Sequence, residues 1–429
     1  MRFAQLPLQD GLTKGLPASL GQLPPAQVGR QGWNVLAEDL PLPLALLKDS
    51  SLRHNSQWMR RFLAMAGASI APHGKTSMSP QLFARQLADG AWGITVATVQ
   101  QLRVCRAAGV DRVLMANQLV GRQAVGYVLD ELARDPKFEF LALVDSVSGV
   151  ELLAQAAARR NPGRPLKLLV ECGFRGGRAG CRNLDEALVV ARAVARARPH
   201  LGLAGVEGFE GAVPAAGPEE QDRRVREFVA FMAQVASAAA AEGLIDDGEV
   251  ILSAGGSAWF DLAAELPHQL GDRSARVVLR SGCYLTHDSD MYTRAAKAMR
   301  ERSPAVADLG PGLRDALEVW AHVQSLPEPG LAILGMGKRD VSYDLHLPYP
   351  RMMVRPGATG VPAALPDGCE ITALNDQHAF MRLPPDAALA VGDLIGCTIS
   401  HPCTTFDKWR FLPIVDDQYN VIEGISTWF

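Results

Sequence analysis

Beyond residue 50 the chain alternates between short, unbroken apolar runs and stretches whose apolar residues recur at helical spacing. Eight runs fit buried strands, at 69–73, 93–97, 112–116, 140–144, 166–171, 203–207, 249–253 and 276–284. Helical spacing predicts helices at 52–66 (LRHNSQWMRRFLAMA), 80–89, 99–108, 148–160, 184–197 and 219–242. The runs are apolar throughout rather than at every second position. This is the pattern of parallel strands covered on both faces by helices. Eight such units over roughly 250 residues is the size of a closed (β/α)8 TIM-type barrel, an α/β fold; a doubly wound open sheet is the alternative. After residue 300, Pro- and Gly-rich turns separate short runs at 331–336, 370–374, 378–383 and 394–400, which predicts a β-rich second domain. The organisation expected is an irregular lead-in at 1–40 packing on the C-terminal domain, a barrel at 41–305 and a β-rich domain at 306–429.

Composition narrows the function classes. A formal net charge of -3 over 429 residues gives no electrostatic reason to expect nucleic acid or an anionic membrane as partner. No run of about 18 or more apolar residues is present, so nothing here is expected to span a bilayer. The opening MRFAQLPLQDGLTKGLPASL lacks a basic stretch followed by an apolar block, so no export signal is expected. Seven cysteines without export read as free thiols in a reducing, cytoplasmic setting.

A barrel carries its chemistry at the C-terminal ends of its strands, where loops vary while the strands stay fixed. The first run ends in Ala71-Pro72-His73-Gly74-Lys75-Thr76, the second near Thr95 and Thr98, the third at Asn117 and the fourth at Asp145. The fifth leads to Glu171 and on to Arg178, and the sixth to Glu207 and Glu210. The seventh leads to Ser253-Ala254-Gly255-Gly256-Ser257, and the eighth to Ser281-Gly282-Cys283-Tyr284. Lys75 is one of eight lysines against 35 arginines and follows an apolar run, where lysine is disfavoured. A partly desolvated amine there has a lowered pKa and a free lone pair for Schiff-base chemistry; the competing reading is a lysine reaching to solvent at the rim. Paired Gly255 and Gly256 let backbone N–H groups approach an anion, and a helix starting after them adds positive charge. The loops after strands 7 and 8 commonly form a phosphate site in barrels, and Tyr284 can add its hydroxyl. In Ser400-His401-Pro402-Cys403-Thr404, residues at i and i+2 of an extended segment face the same way, so His401 and Cys403 can meet one ion. Imidazole plus thiolate suits zinc, and two protein ligands leave positions open for water or substrate.

These motifs resemble a known family. Ala71-Pro72-His73-Gly74-Lys75-Thr76 is similar to the Pro-His-x-Lys-Thr cofactor-lysine motif of D-serine dehydratases and D-threonine aldolases, relatives of alanine racemase among fold type III pyridoxal phosphate enzymes. Arg178-Ala179-Gly180 resembles the family's Arg-x-Gly segment, Gly255-Gly256-Ser257 its phosphate loop, and His401-x-Cys403 the metal pair of D-serine dehydratases. The resemblance runs from about residue 41 to the end. It implies an alanine racemase-like barrel with a C-terminal β-domain, pyridoxal phosphate on Lys75, zinc or another divalent metal on His401 and Cys403, and a homodimer. Arg178 is implied as partner of the cofactor's phenolic oxygen, although Phe174-Arg175-Gly176-Gly177 inserts an extra residue before it. Phe209 stands where relatives often have His or Tyr, and Glu207 reads as a surface carboxylate or a partner of the pyridine nitrogen.

The implied reaction is dehydration and deamination of a β-hydroxy D-amino acid (D-serine, D-threonine or 3-hydroxyaspartate type) to a 2-oxo acid and ammonia. Lys75 is the catalytic base and the metal assists departure of the β-hydroxyl. The alternatives are a D-threonine aldolase, whose branch tends to pair its metal His with Asp rather than Cys, a racemase, or a non-catalytic pyridoxal phosphate carrier.

Overall fold

The structure, a computed structural model, describes residues 9–256, 258–357 and 361–429. Its contacts divide the chain into two units. The first holds Arg60–Lys75 and Gln86–Gly282; the second holds the described residues up to Met59, then Thr76–Arg85 and Cys283–Phe429.

Eight parallel strands form the first unit: β1 (Ser69–Ile70), β2 (Ile94–Val96), β3 (Arg112–Gln118), β4 (Glu139–Val144), β5 (Leu166–Cys172), β6 (Leu201–Gly208), β7 (Val250–Ala254) and β8 (Arg273–Leu279). Their order is β1-β8-β7-β6-β5-β4-β3-β2. A bridge between His73 and Thr95 joins the two ends of that order. Trp92 N–H donates to the Ile70 carbonyl at 2.7 Å, Thr95 N–H to that of Pro72 at 2.9 Å, and the Thr95 hydroxyl to that of Ala71 at 2.6 Å. The ring is therefore closed, as the alternation predicts. Inside it Ala71, Leu114, Leu141, Leu143, Leu169, Ile251 and Val278 pack together, which explains why the runs carry no polar alternation.

The predicted helices form at Asp49–Ala66, Pro80–Ala88, Val99–Ala107, Val147–Arg160, Leu184–Arg196 and Pro218–Ala241. Three begin on capping side chains that satisfy otherwise unpaired N–H groups: Thr98 accepts from Gln101, Ser146 from Gly149 and Asn183 from Glu186. The helices Arg122–Arg134 and Met291–Arg302 escaped the sequence reading, although the buried Val125, Val128, Leu129 and Leu132 of the first follow the 3–4 spacing. The eighth run ends at Leu279, short of the predicted 284, because Arg280 leaves the ladder and Cys283–Leu285 closes into a 3-10 turn.

The second unit is built on a mixed sheet. Its strands run in the order Ala363–Ala364, Tyr349–Val354, Leu394–Thr398, Leu317–Glu328, Leu44–Lys48, Phe411–Val415 and Val421–Ser426. Leu44–Lys48, which the sequence reading groups with the barrel, pairs antiparallel with Leu317–Glu328 and parallel with Phe411–Val415. The lead-in lies along the last strand: Val421 N–H donates to the Trp33 carbonyl at 2.8 Å and Gln9 Nε2 to Ser426 Oγ at 3.2 Å. Among the described residues, no helix is long and apolar enough to cross a membrane.

Strand β6 carries a local irregularity that fixes the site's register. Leu168 pairs with Leu203 but Leu169 with Gly205, so Ala204 is an extra residue. Gly205 has φ 155°, and a Cβ there would collide with the backbone carbonyl of Ile251, which cannot move aside without breaking β7. We expect Gly205→Ala to lower unfolding stability by roughly 2–3 kcal/mol. Urea unfolding reads this, and a midpoint equal to that of the unaltered chain refutes it.

Candidate active site

Lys75 sits just past the end of β1 in the 3-10 turn Gly74–Thr76. Its side chain is exposed, which corrects the expectation of a partly desolvated amine: the residue lies beyond the strand layer, where no core side chain covers it. What distinguishes its surroundings is charge. The His73 ring is held well below the ordinary histidine range, first by burial and then by the cations of Lys75, Arg280 and Arg178. His73 Nδ1 is buried without a hydrogen-bond partner. A neutral imidazole ringed by three cations marks a mouth that favours an anion. Arg178, exposed like Lys75, lies over the Phe209 ring at 5.1 Å.

Carboxylates line the neighbouring strand ends. Glu171 of β5 and Glu207 of β6 are register partners, and Glu207 pairs in turn with Ser253 of β7. Glu207 is 2% exposed and forms an ion pair with Arg280, so it is neither of the surface kind nor unpaired. Arg280 is 5% exposed and also donates to Ser253 Oγ at 2.7 Å and to the Gly208 carbonyl at 3.0 Å. Burial pushes the Glu207 carboxyl up to about 8, against the opposing pull of Arg280 and with the help of Glu171 and Glu210. Its second oxygen, Oε2, has no hydrogen-bond partner. Glu171 is likewise raised by burial, and the Gln118 side-chain amide donates to it.

Gly255 and Gly256 follow β7 as predicted, and both of their N–H groups point at one anion. That anion is internal: Glu210 accepts from Gly255 N–H at 2.9 Å and from Gly256 N–H at 2.6 Å. Gly255 adopts φ 108°, a conformation that favours glycine, and a Cβ on Gly256 would stand 3.0 Å from the Phe209 ring, which would have to shift slightly. The helix that follows is a single turn, Phe260–Ala263. Ser257 lies outside the described residues. Tyr284 is buried in the 3-10 turn Cys283–Leu285 and belongs to the second unit.

In the second unit, His401 and Cys403 do come into hydrogen-bonding contact, though not along an extended segment. His401 has φ 55°, Pro402 is helical, and Cys403 opens the one-turn helix Cys403–Phe406. Side-chain and backbone anchors hold this turn. Asp288, 1% exposed, accepts from His401 N–H at 2.6 Å, and Asp344 takes the His401 Nδ1 at 2.5 Å and the Thr404 hydroxyl at 2.7 Å. Cys403 Sγ is 3.7 Å from Cys283 Sγ and 3.5 Å from Thr76 Oγ1. The contact with Cys283 and then that with His401 hold the Cys403 thiol well below its ordinary range, while the Cys403 contact raises Cys283. His401 is raised to about 9, chiefly by its bond to Cys403 and further by Asp344. A thiolate and an imidazole oriented by a carboxylate are a ligand pair for a soft divalent metal. Among the described residues, no group of three His, Cys, Asp or Glu side chains is disposed to hold a metal ion, so this is a two-ligand arrangement.

The residues of the first unit fit pyridoxal phosphate: an accessible amine, a cationic mouth, an anion cradle already shown to accept a carboxylate, and a spare carboxylate oxygen on Glu207. Sequence reading missed Arg280, Cys283 as a neighbour of Cys403, Asp288 and Asp344. Arg280 is a charge set inside the predicted run 276–284, and that placement is the signal that could have found it. Asp344 lies 57 positions from His401 and has no local signal.

Residues 48–263 match the family described as alanine racemase, N-terminal domain, and residues 316–415 a putative serine dehydratase domain. The chain is 29% identical over 406 residues to a D-threonine aldolase of an Arthrobacter species, covering 94% of each. It shares its fold with the D-threonine aldolase of Filomicrobium marinum (TM-score 0.74, 22% identity, 94% of this chain and 98% of that one). The same holds for the D-threo-3-hydroxyaspartate dehydratase of Delftia sp. HT23 (TM-score 0.69, 22% identity, 92% and 99%).

Arg280→Met leaves the buried Glu207 carboxyl without its counter-charge, and where that carboxyl is ionised the loss is expected to destabilise the chain by about 3–5 kcal/mol. With Arg280 present the folded carboxyl is raised to about 8, and without that opposing pull it rises further. Below pH 8 both folded proteins keep the proton that the unfolded chain releases near pH ~4.3, so both lose stability alike as pH rises. Above pH 8 the unaltered carboxyl ionises while the variant's does not, so the deficit should grow there. Urea unfolding of both proteins between pH 6 and 9.5 measures this; a deficit that does not grow above pH 8 contradicts it.

Proposed function

The chain belongs to the family of the alanine racemase N-terminal domain, and from that premise we propose that it is a pyridoxal phosphate-dependent lyase of β-hydroxy D-amino acids. Its reaction in this reading is dehydration and deamination to a 2-oxo acid and ammonia. The observation that carries the proposal is the exposed amine of Lys75 in the turn after β1, with Arg178 over the Phe209 ring and the buried Arg280 as further cations acting on His73. An amine among fixed cations, beside an anion cradle, matches a phosphate-bearing aldehyde.

Pyridoxal phosphate, when bound, supplies an aldehyde that captures an amine and an electron-poor ring that draws charge from the α-carbon. Lys75 Nζ would hold that aldehyde, and the same amine is the group that would take the proton from the substrate α-carbon. Gly255 and Gly256 would offer the phosphate the N–H groups that Glu210 holds here. Arg178 and Arg280 keep the mouth positive, and His73 stays neutral beside them, so it adds no competing charge. Glu207 Oε2, which has no hydrogen-bond partner, would accept from a protonated ring nitrogen. His401 and Cys403 would hold a divalent metal, zinc by the softness of thiolate, whose Lewis acidity makes a β-hydroxyl a better leaving group.

Dehydration rather than carbon–carbon cleavage is supported by the presence of Cys403 beside His401, where the aldolase branch tends to pair its metal His with Asp. The aldolase reading remains as the second, favoured by the similarity to the Arthrobacter D-threonine aldolase over nearly the whole chain. Incubation with D-threonine separates the two. Elimination gives 2-oxobutyrate and ammonia; glycine with acetaldehyde would make the chain an aldolase.

The purified protein is expected to show visible cofactor absorbance after addition of pyridoxal phosphate. Lys75→Ala should lose that band and nearly all turnover; a retained band in the variant defeats the lysine assignment. Cys403→Ala should keep the band, fail to retain zinc in elemental analysis and lose elimination. If it stays fully active, the metal has no part in the reaction.

A further inference from the structure

We propose that Glu210 is an internal competitor for the cofactor phosphate. The Gly255–Gly256 turn takes one anion at a time, and the cofactor loads by exchanging its phosphate for the Glu210 carboxylate. This inference rests on the pyridoxal phosphate reading and adds to it a residue that opposes binding. The geometry is specific. Each carboxylate oxygen of Glu210 takes one of the two turn amides, at 2.9 and 2.6 Å. A phosphate bound through the same two amides needs the positions those oxygens hold. Two acceptor groups cannot occupy the same positions at once, and where the buried Glu210 is ionised the like charges also repel. Glu210 is 0% exposed, so it is no surface residue brushing the loop.

Displacement of Glu210 has a structural consequence. Glu210 opens the one-turn 3-10 helix Glu210–Ala212, and the preceding residue is Phe209. The Phe209 ring packs against Gly256 on one side and carries the Arg178 guanidinium at 5.1 Å. Moving Glu210 off the turn therefore moves the platform under Arg178. The phosphate seat and the cation beside His73 are mechanically linked through two adjacent residues. A cofactor lacking the phosphate has no means of driving this exchange.

Glu210→Gln tests the exchange. The amide has one acceptor oxygen and one N–H2 donor group, so it can satisfy only one of the two turn N–H groups and carries no charge. Equilibrium binding to the full-length protein is measured for pyridoxal phosphate, for pyridoxal and for inorganic phosphate. The expected result is at least tenfold tighter binding of pyridoxal phosphate and of inorganic phosphate, with pyridoxal unchanged. Equal or weaker binding of the phosphate ligands, or an equal gain for pyridoxal, overturns the proposal. Should the variant fail to fold, hydrogen exchange on the unaltered protein decides. Pyridoxal phosphate should accelerate exchange at 209–213, and unchanged or slower exchange there overturns it. If the unaltered protein binds no pyridoxal phosphate, the cofactor reading fails by itself. The effect of Glu210→Gln on inorganic phosphate still judges the competition.

Discussion

Arg280 lies where three glutamates converge. Glu171 and Glu207 close adjacent strands in register, and Glu210 follows two residues after β6. Three carboxylates withdrawn from water at one end of a barrel would repel one another and leave acceptors unsatisfied. The guanidinium enters from the end of β8, pairs with Glu207, and spends its remaining donors on Ser253 and the Gly208 carbonyl. It thereby ties β6, β7 and β8 together at the edge where the ladder stops. Even with this partner, burial leaves Glu207 with a raised pKa of about 8. The mouth is therefore a balance of buried charges, and its outward face is decided by the exposed cations Lys75 and Arg178.

The same balance explains what the sequence disclosed and what it withheld. A closed ring of eight parallel strands is legible because each buried run must be apolar on both faces, and the loops after the runs hold the polar residues. Lys75, Arg178 and the paired glycines are visible for that reason. The exposure of Lys75 was not legible, since a one-dimensional run does not say whether the residue past its end turns inward or out. Nor was the partner of the glycine turn: Glu210 lies 45 positions before Gly255, on another strand's loop. Burial made Glu207 an ion-pair partner where its spacing suggested a surface carboxylate. The grouping of Leu44–Lys48 failed for a related cause. A short apolar strand carries no mark of the sheet it joins.

His401 and Cys403 illustrate a different limit. Their contact was foreseen from two-residue periodicity, yet the backbone meets that contact through a left-handed residue and the start of a helix. A non-glycine residue with positive φ persists only where its surroundings hold it. Here they do: Asp288 receives the backbone N–H, and Asp344 bridges the ring and the Thr404 hydroxyl. The carboxylate on Nδ1 also fixes which ring nitrogen remains for another partner. Cys283 supplies a second thiol beside Cys403 and so biases which sulfur is the anion. The ligand pair depends on residues far apart in sequence, which no local motif contains.

Both candidate ligand sites are thus already satisfied by the chain itself. The turn amides of Gly255 and Gly256 hold Glu210, and the Cys403 sulfur accepts hydrogen bonds from Cys283 and His401. A buried donor or anion without a partner costs about 1–3 kcal/mol or more, so internal partners stabilise the fold at the site where a ligand would otherwise have to. The consequence reaches the energetics of binding. A ligand at either place gains only the difference between its own contacts and those it displaces, so affinity there measures an exchange rather than the filling of a void. Removing the internal partner then has opposite effects on the two quantities: the folded chain loses a satisfied contact, while the ligand loses a competitor. A stability loss paired with an affinity gain separates this arrangement from a passive pocket, in which the same substitution would weaken both or leave affinity alone.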